Sequence, residues 1–175
     1  PYTDAFALSA MPLIVNNVRA AYADPENGPA RAALMLAASQ AGMAFSNASV
    51  ALVHGMSRPI GAHFHVAHGL SNAMLLPAIT AFSVSHAPSR YAQVARVMKW
   101  ATDTDTDETA CAKLVEGLTQ LNADLEVPTP RNLGHNKDDK MFALMSAQAL
   151  TSGSPQNNPR VPTVDEIIQL YDEIW

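Results

Sequence analysis

Four of the six histidines fall within fifteen residues, in the run Ala51-Leu-Val-His54-Gly-Met-Ser-Arg58-Pro-Ile-Gly-Ala-His63-Phe-His65-Val-Ala-His68-Gly69. Neutral imidazole is a common metal ligand, and its ordinary pKa also suits proton transfer near neutral pH. His54 and His68 sit on two elements separated by a stretch rich in Gly and Pro, and such a stretch can fold back to bring both rings to one point. On spacing alone two readings stay open: a ligand pair, or ordinary core or interface histidines. His63 and His65 are one residue apart and would share a face of an extended segment. They read as pocket-mouth or loop residues, or as a second metal-binding pair. His86 and His135 stand alone beside loop signals and receive no role.

Other motifs carry less. Asp103-Thr-Asp105-Thr-Asp107 resembles the start of an EF-hand loop, which needs Gly at its sixth position and Glu at its twelfth. This chain has Glu108 and Leu114 there, so a turn and helix start is the better reading. Cys111, between two alanines, reads as core. No Gly-rich phosphate loop, Gly-x-Ser-x-Gly elbow or His-Glu-x-x-His motif occurs.

The elements that must position the histidines are helices. Apolar spacing predicts one from about Thr3 to Tyr22, kinked or divided at Pro12. The small, nearly uncharged segment from Ala30 to about Ser46 predicts a helix buried mid-domain. A short helix over Val50 to Val53 should carry His54. Gly55, Pro59 and Gly61 then predict helix end, loop and turn up to Val66. Further helices are expected from Ala67 or His68 to Phe82, Pro88 to Ala101, Glu108 to Leu125, Lys137 to Leu150 and Val164 to Ile174. Val127-Pro-Thr-Pro130 reads as an extended connector. Thr163 and Glu166 have capping-box spacing. With no sustained strand alternation and no internal repeat, the fold class is all-α with seven to nine helices.

Composition narrows the function. A net charge of −5 and no basic stripe argue against nucleic-acid binding. No apolar run is long enough for a membrane span. A single cysteine fits a reducing compartment, so a cytoplasmic location is expected. The 48% apolar content suits one helical domain with buried interfaces.

Gly42-Met-Ala-Phe-Ser-Asn47-Ala-Ser-Val-Ala-Leu-Val-His54-Gly-Met-Ser-Arg-Pro-Ile-Gly61, followed by Val66-Ala-His68-Gly-Leu-Ser-Asn-Ala-Met-Leu-Leu-Pro77, resembles the iron-containing (group III) alcohol dehydrogenases. Pro1-Tyr-Thr-Asp4 and Asn158-Pro-Arg160 extend the likeness over essentially the whole chain. The resemblance implies an all-helical, metal-binding C-terminal domain spanning residues 1–175, like that of the dehydroquinate synthase-like fold. It also implies an N-terminal domain binding NAD or NADP, and Fe²⁺, or sometimes Zn²⁺, held by one Asp and three His. His54 and His68 match two of those His. The Asp and the first His would precede Pro1, as would the nucleotide domain. The absence of an initiator Met agrees with a piece of a longer protein.

Two positions depart from the family pattern. Arg58 stands where many members have a His near the substrate. It can bind a carboxylate bidentately, or pair with an acidic residue at the domain boundary. Ala67 replaces a Pro before the second ligand. The resemblance thus implies a metal-dependent oxidoreductase passing hydride between a small alcohol or aldehyde and NAD(P), in a homo-oligomer (a dimer or larger). His54 and His68 are the expected metal ligands, with Arg58, His63 and His65 as substrate-pocket residues. Glycerol dehydrogenase and maleylacetate reductase are related alternatives. So is a non-catalytic helical binding or oligomerisation module.

Overall fold

The computed structural model describes Tyr2–Trp175. Its helices are α1 (Tyr2–Ala23), α2 (Gly28–Ala48), α3 (Leu52–Phe64), α4 (His68–Ser83), α5 (Pro88–Val97), α6 (Asp107–Asp124), α7 (Asp139–Thr151) and α8 (Val164–Ile174), with 3₁₀ turns at Val84–His86, Arg131–Leu133 and Ser154–Asn157. No strand occurs among the described residues, and the class is all-α as the periodicity predicts. No single helix among them is long and apolar enough to cross a membrane. The residues group into two compact units: residues 1–49 with 88–117, and residues 50–87 with 118–175.

In the first unit α1 packs chiefly on α2 and also meets α5. Asn27 caps α2 by accepting from the Ala30 amide at 3.1 Å, with Pro29 in the first turn. Pro12 does not divide α1. The expectation of a buried α2 is overturned. Only Ala30, Ala37 and Ala44 are buried, a single stripe at seven-residue intervals, whereas Met35 is 69% exposed and Leu36 and Phe45 about half exposed. Apolar composition told of a helix able to be buried, but within this unit only the alanine stripe is fully covered.

The second unit holds a continuous core of large side chains. Leu52, Met56 and Ile60 from α3, Leu75 from α4, Phe142 and Met145 from α7, and Ile167 and Tyr171 from α8 are all fully or almost fully buried. Buried Tyr171 donates its hydroxyl to the Met56 carbonyl at 2.7 Å, tying α8 to α3. The Thr163–Glu166 capping box starts α8 as the spacing predicts. Buried Asn158 donates to the Ser83 hydroxyl at 2.9 Å and to the Arg160 carbonyl at 2.8 Å, fixing the chain just before that cap.

A second expectation also fails here. The stretch through Gly55, Pro59 and Gly61 is not a helix end, loop and turn but the body of α3. Pro59 removes just one donor, the partner that the Gly55 carbonyl would have had. The glycines serve packing. A Cβ on Gly55 would lie 3.0 Å from Cγ and Cδ of Pro155, and one on Gly61 would lie 3.3 Å from the Val66 carbonyl oxygen.

Candidate metal centre

The inward face of α3 is set by Leu52, Met56 and Ile60, spaced four residues apart and wholly buried. That register leaves His54 half-buried and Arg58 exposed one turn later. Side chains at i and i+4 emerge about 5–6 Å apart on one helix face. The helix stops at His65, whose left-handed backbone (φ 56°) lets its amide donate to the Gly61 carbonyl at 3.1 Å. Val66 then turns back beside Gly61 at the close approach a missing side chain permits. Buried Val66 pins this return, and His68 opens α4.

The result is that His54 and His68, fourteen positions apart, meet. Their ring centroids are 5.2 Å apart and their planes are tilted by 58°. Ser57 donates to the His54 carbonyl at 3.2 Å, and the same hydroxyl lies 3.4 Å from Nδ1 of His68. With its proton directed to the carbonyl, Ser57 is an acceptor for Nδ1–H. That tautomer leaves Nε2 of His68 as a lone-pair donor. Asn72, one turn along α4, places its amide nitrogen 3.3 Å from that Nε2. Its Oδ1 is buried with no partner among the described residues, so the polar surroundings of His68 are incomplete. Burial holds the pKa of His54 below its ordinary value, helped by the charges of His68 and Arg58. A neutral ring is the form that ligates a metal.

These two imidazoles fit a borderline divalent metal such as Fe²⁺ or Zn²⁺ as part of a ligand set. They do not complete one. Among the described residues no group of three or more His, Cys, Asp or Glu side chains could hold an ion.

His63 and His65 are not brought to this pair. Nine residues of helix put His63 roughly 13 Å along the axis from His54. Nε2 of His63 meets the Gln148 side-chain oxygen on α7 at 2.9 Å, and His65 serves as the exposed C-cap. The expectation that they share a face of an extended segment falls with the helical body of α3. Arg58 makes no ion pair or hydrogen bond among the described residues. Sequence reasoning assigned nothing to Ser57, Asn72 or Gln148. Ser57 and Asn72 stand at i+3 from His54 and i+4 from His68, a spacing that could have flagged them. Gln148 comes from a distant helix, and no local signal marks it. His135 stacks on Phe64 at 4.8 Å, and its carbonyl accepts from the Trp175 indole at 2.9 Å, so it is structural. Buried Cys111 points its thiol at the Pro88 carbonyl, 3.3 Å away.

The model of the Fe-containing alcohol dehydrogenase family's C-terminal region matches residues 1–175. The chain belongs to the iron-containing alcohol dehydrogenase family. It is 34% identical to the 1,3-propanediol dehydrogenase of Citrobacter freundii over 176 residues, which is 100% of this chain and 45% of that protein. It is 31% identical to the NAD-dependent methanol dehydrogenase of Bacillus methanolicus over 171 residues, 97% of this chain and 44% of that one. A crystal structure of a 1,3-propanediol oxidoreductase superposes with a TM-score of 0.94 at 32% identity, covering 100% of this chain and 46% of that one. The chain therefore spans under half the length of the family relatives it matches.

Proposed function

We propose that this chain is the metal-binding helical part of an NAD(P)-dependent alcohol dehydrogenase that interconverts a small alcohol and its aldehyde or ketone. The observation that carries the reading is the meeting of His54 and His68 across the α3–α4 turn, with burial lowering the pKa of His54 and the Ser57 hydroxyl beside Nδ1 of His68. They supply two ligands of the four that the family resemblance implies. The remaining Asp and His, and the nucleotide-binding domain, are assigned to sequence before Pro1. His54 and His68 are the residues of this chain that would hold the metal, which would supply Lewis acidity to the alcohol oxygen, while the nicotinamide would supply the hydride acceptor. Ser57 fixes the His68 tautomer and Arg58 faces the substrate side. His63 and His65 are kept as outer residues of the substrate approach. Iron is the expected metal, with zinc an alternative that supply decides.

A second reading is favoured by the lack of any group of three or more metal-ligating side chains among the described residues. By itself the chain is then a non-catalytic helical module, and catalysis belongs to the assembled protein.

Metal analysis separates the two. The protein expressed from the complete gene should carry near one Fe or Zn per chain, and His54→Ala and His68→Ala should each remove it. This chain alone should bind metal weakly. No metal in the complete protein would overturn the dehydrogenase reading. Tight binding by this chain alone would point to a different ligand set.

A further inference from the structure

We propose that Arg58 is a specificity residue which selects substrates carrying a carboxylate, so that the enzyme's preferred partners are hydroxy acids and the corresponding oxo acids. This inference rests on the dehydrogenase reading for its reaction but on separate observations for its chemistry.

Arg58 is the exposed member of an otherwise buried or half-buried stretch from Leu52 to Ile60. It emerges one helical turn after His54 on the same face, so its base lies about 5–6 Å from that of the metal-side histidine. Arg90, Arg96 and Arg160 each pair with a carboxylate, whereas Arg31, Arg131 and Arg58 form no ion pair among the described residues; what sets Arg58 apart is its place beside His54. Arg58 has neither an ion pair nor a hydrogen bond among the described residues. Its five donors, fixed in a planar fork, are therefore available beside the histidine pair, and that fork matches the two oxygens of a carboxylate.

The start of α4 adds to the positive character contributed by Arg58. His68 is the first residue of α4, a 16-residue helix whose N-cap is Ala67. That cap offers no side-chain hydrogen bond, and no acidic residue lies in the first turn. The free amides and positive dipole end of that turn are thus not neutralised from within the helix. Gly69 has open space where a side chain would stand. An anionic group is favoured here, and a neutral alcohol would leave the Arg58 fork without a partner. The substrate class that uses every feature has an alcohol or carbonyl for the metal side and a carboxylate, a few carbons away, for Arg58.

The test pairs substrates of equal carbon chain with and without the acid: 4-hydroxybutanoate against 1-butanol, and 3-hydroxypropanoate against 1-propanol, with NAD⁺ and NADP⁺. In the metal-loaded protein from the complete gene, the acid-to-neutral ratio of kcat/KM should exceed ten for at least one pair. Arg58→Gln should cut that ratio at least tenfold, and Arg58→Lys should restore part of it. A second measurement does not use turnover: propanoate is titrated by NMR into the protein from the complete gene, prepared without metal. Its Kd should weaken at least fivefold in Arg58→Gln, with the circular dichroism unchanged. Dehydrogenase activity with a ratio near one, or a ratio that Arg58→Gln leaves in place, overturns the assignment and leaves the dehydrogenase reading intact. If the metal-loaded protein turns over no alcohol at all, the dehydrogenase reading fails. The propanoate titration then decides Arg58: dependence on the side chain upholds an anion site, and indifference overturns it.

Discussion

The unit that carries His54 and His68 and the unit that does not fill their interiors differently. Around the histidines the buried residues include two alanines, Ala78 and Ala149, but are mostly large: Leu52, Met56, Ile60, Leu75, Phe142, Met145, Ile167 and Tyr171 among them, drawn from four helices. In the other unit they are mostly alanines: Ala10, Ala30, Ala37, Ala44, Ala92, Ala95, Ala101 and Ala110, with Val15, Met98, Cys111 and Leu114. Alanine lets helix axes approach closely but removes little apolar area from water, and buried area sets the hydrophobic contribution. Large interlocking side chains therefore hold the histidine-bearing helices in one geometry. The alanine-faced unit leaves Met35, Leu36 and Met43 outside its own packing. Placement of two rings within 5.2 Å asks for the first kind of interior.

The largest effect should come from emptying that interior. Phe142 is fully buried, in ring contact with Tyr171 and Trp175 at 5.8 and 4.9 Å. Phe142→Ala should cost about 3–5 kcal/mol of stability. Val15→Ala, in the alanine-faced unit, should cost about 1.5 kcal/mol, the worth of two buried carbons. Urea denaturation of both variants checks the contrast. Equal losses would erase the distinction between the units.

A single kind of substitution should then change sign between them. Gly55→Ala pushes a methyl to 3.0 Å from the rigid Pro155 ring and should destabilise by about 1–3 kcal/mol. Gly42→Ala, inside α2, meets nothing within 4 Å and should stabilise by about 0.5–1 kcal/mol, through helix propensity and a less flexible unfolded chain. Thermal melts of the two variants give the signs directly.

These glycines also show what was legible beforehand. Helix number, the α8 capping box and the start of α4 at His68 were all readable, because each depends on residues within one or two turns. The pairing of His54 with His68 was readable as a possibility from the Gly- and Pro-rich segment between them, and it gained force from the family likeness. The mechanism of that pairing was not. Gly55, Pro59 and Gly61 look like breakers, yet a helix tolerates them when their missing atoms make room for Pro155 and Val66, and those contacts are invisible locally. The exposure of α2 was hidden for a similar reason: apolar composition records capacity for burial, while the presence of a neighbour is a tertiary fact. Ser57 and Asn72 are common polar residues whose meaning comes only from the ring they touch.

The smallest effect concerns charge. The alanine-faced unit has an ionic lock in the loop before α6. Asp105 accepts from Lys113 at 2.9 and 2.8 Å and from the Thr102 amide at 2.7 Å, while Arg96 donates to the carbonyls of Thr102 and Asp105 and to the Asp107 carboxylate. The Lys113 hydrogen bonds, then the Thr102 amide, hold the Asp105 carboxyl down at about 2 against an ordinary 3.8. A carboxyl whose pKa is lowered by folding stabilises the native state above its unfolded pKa, and that stabilisation disappears as pH falls through the folded value. The lock should therefore be intact above about pH 4 and weaken towards pH 2. The two tryptophans divide between the units, Trp100 in one and Trp175 in the other. In a Trp175→Phe background, the fluorescence of Trp100 follows the alanine-faced unit. Its urea midpoint should fall between pH 4 and pH 2, and Asp105→Asn should flatten that fall. The Trp100→Phe background, which reports the other unit through Trp175, should be indifferent to Asp105→Asn. An equal response from both tryptophans would mean that the two units melt as one, and that their different interiors do not make separate stabilities.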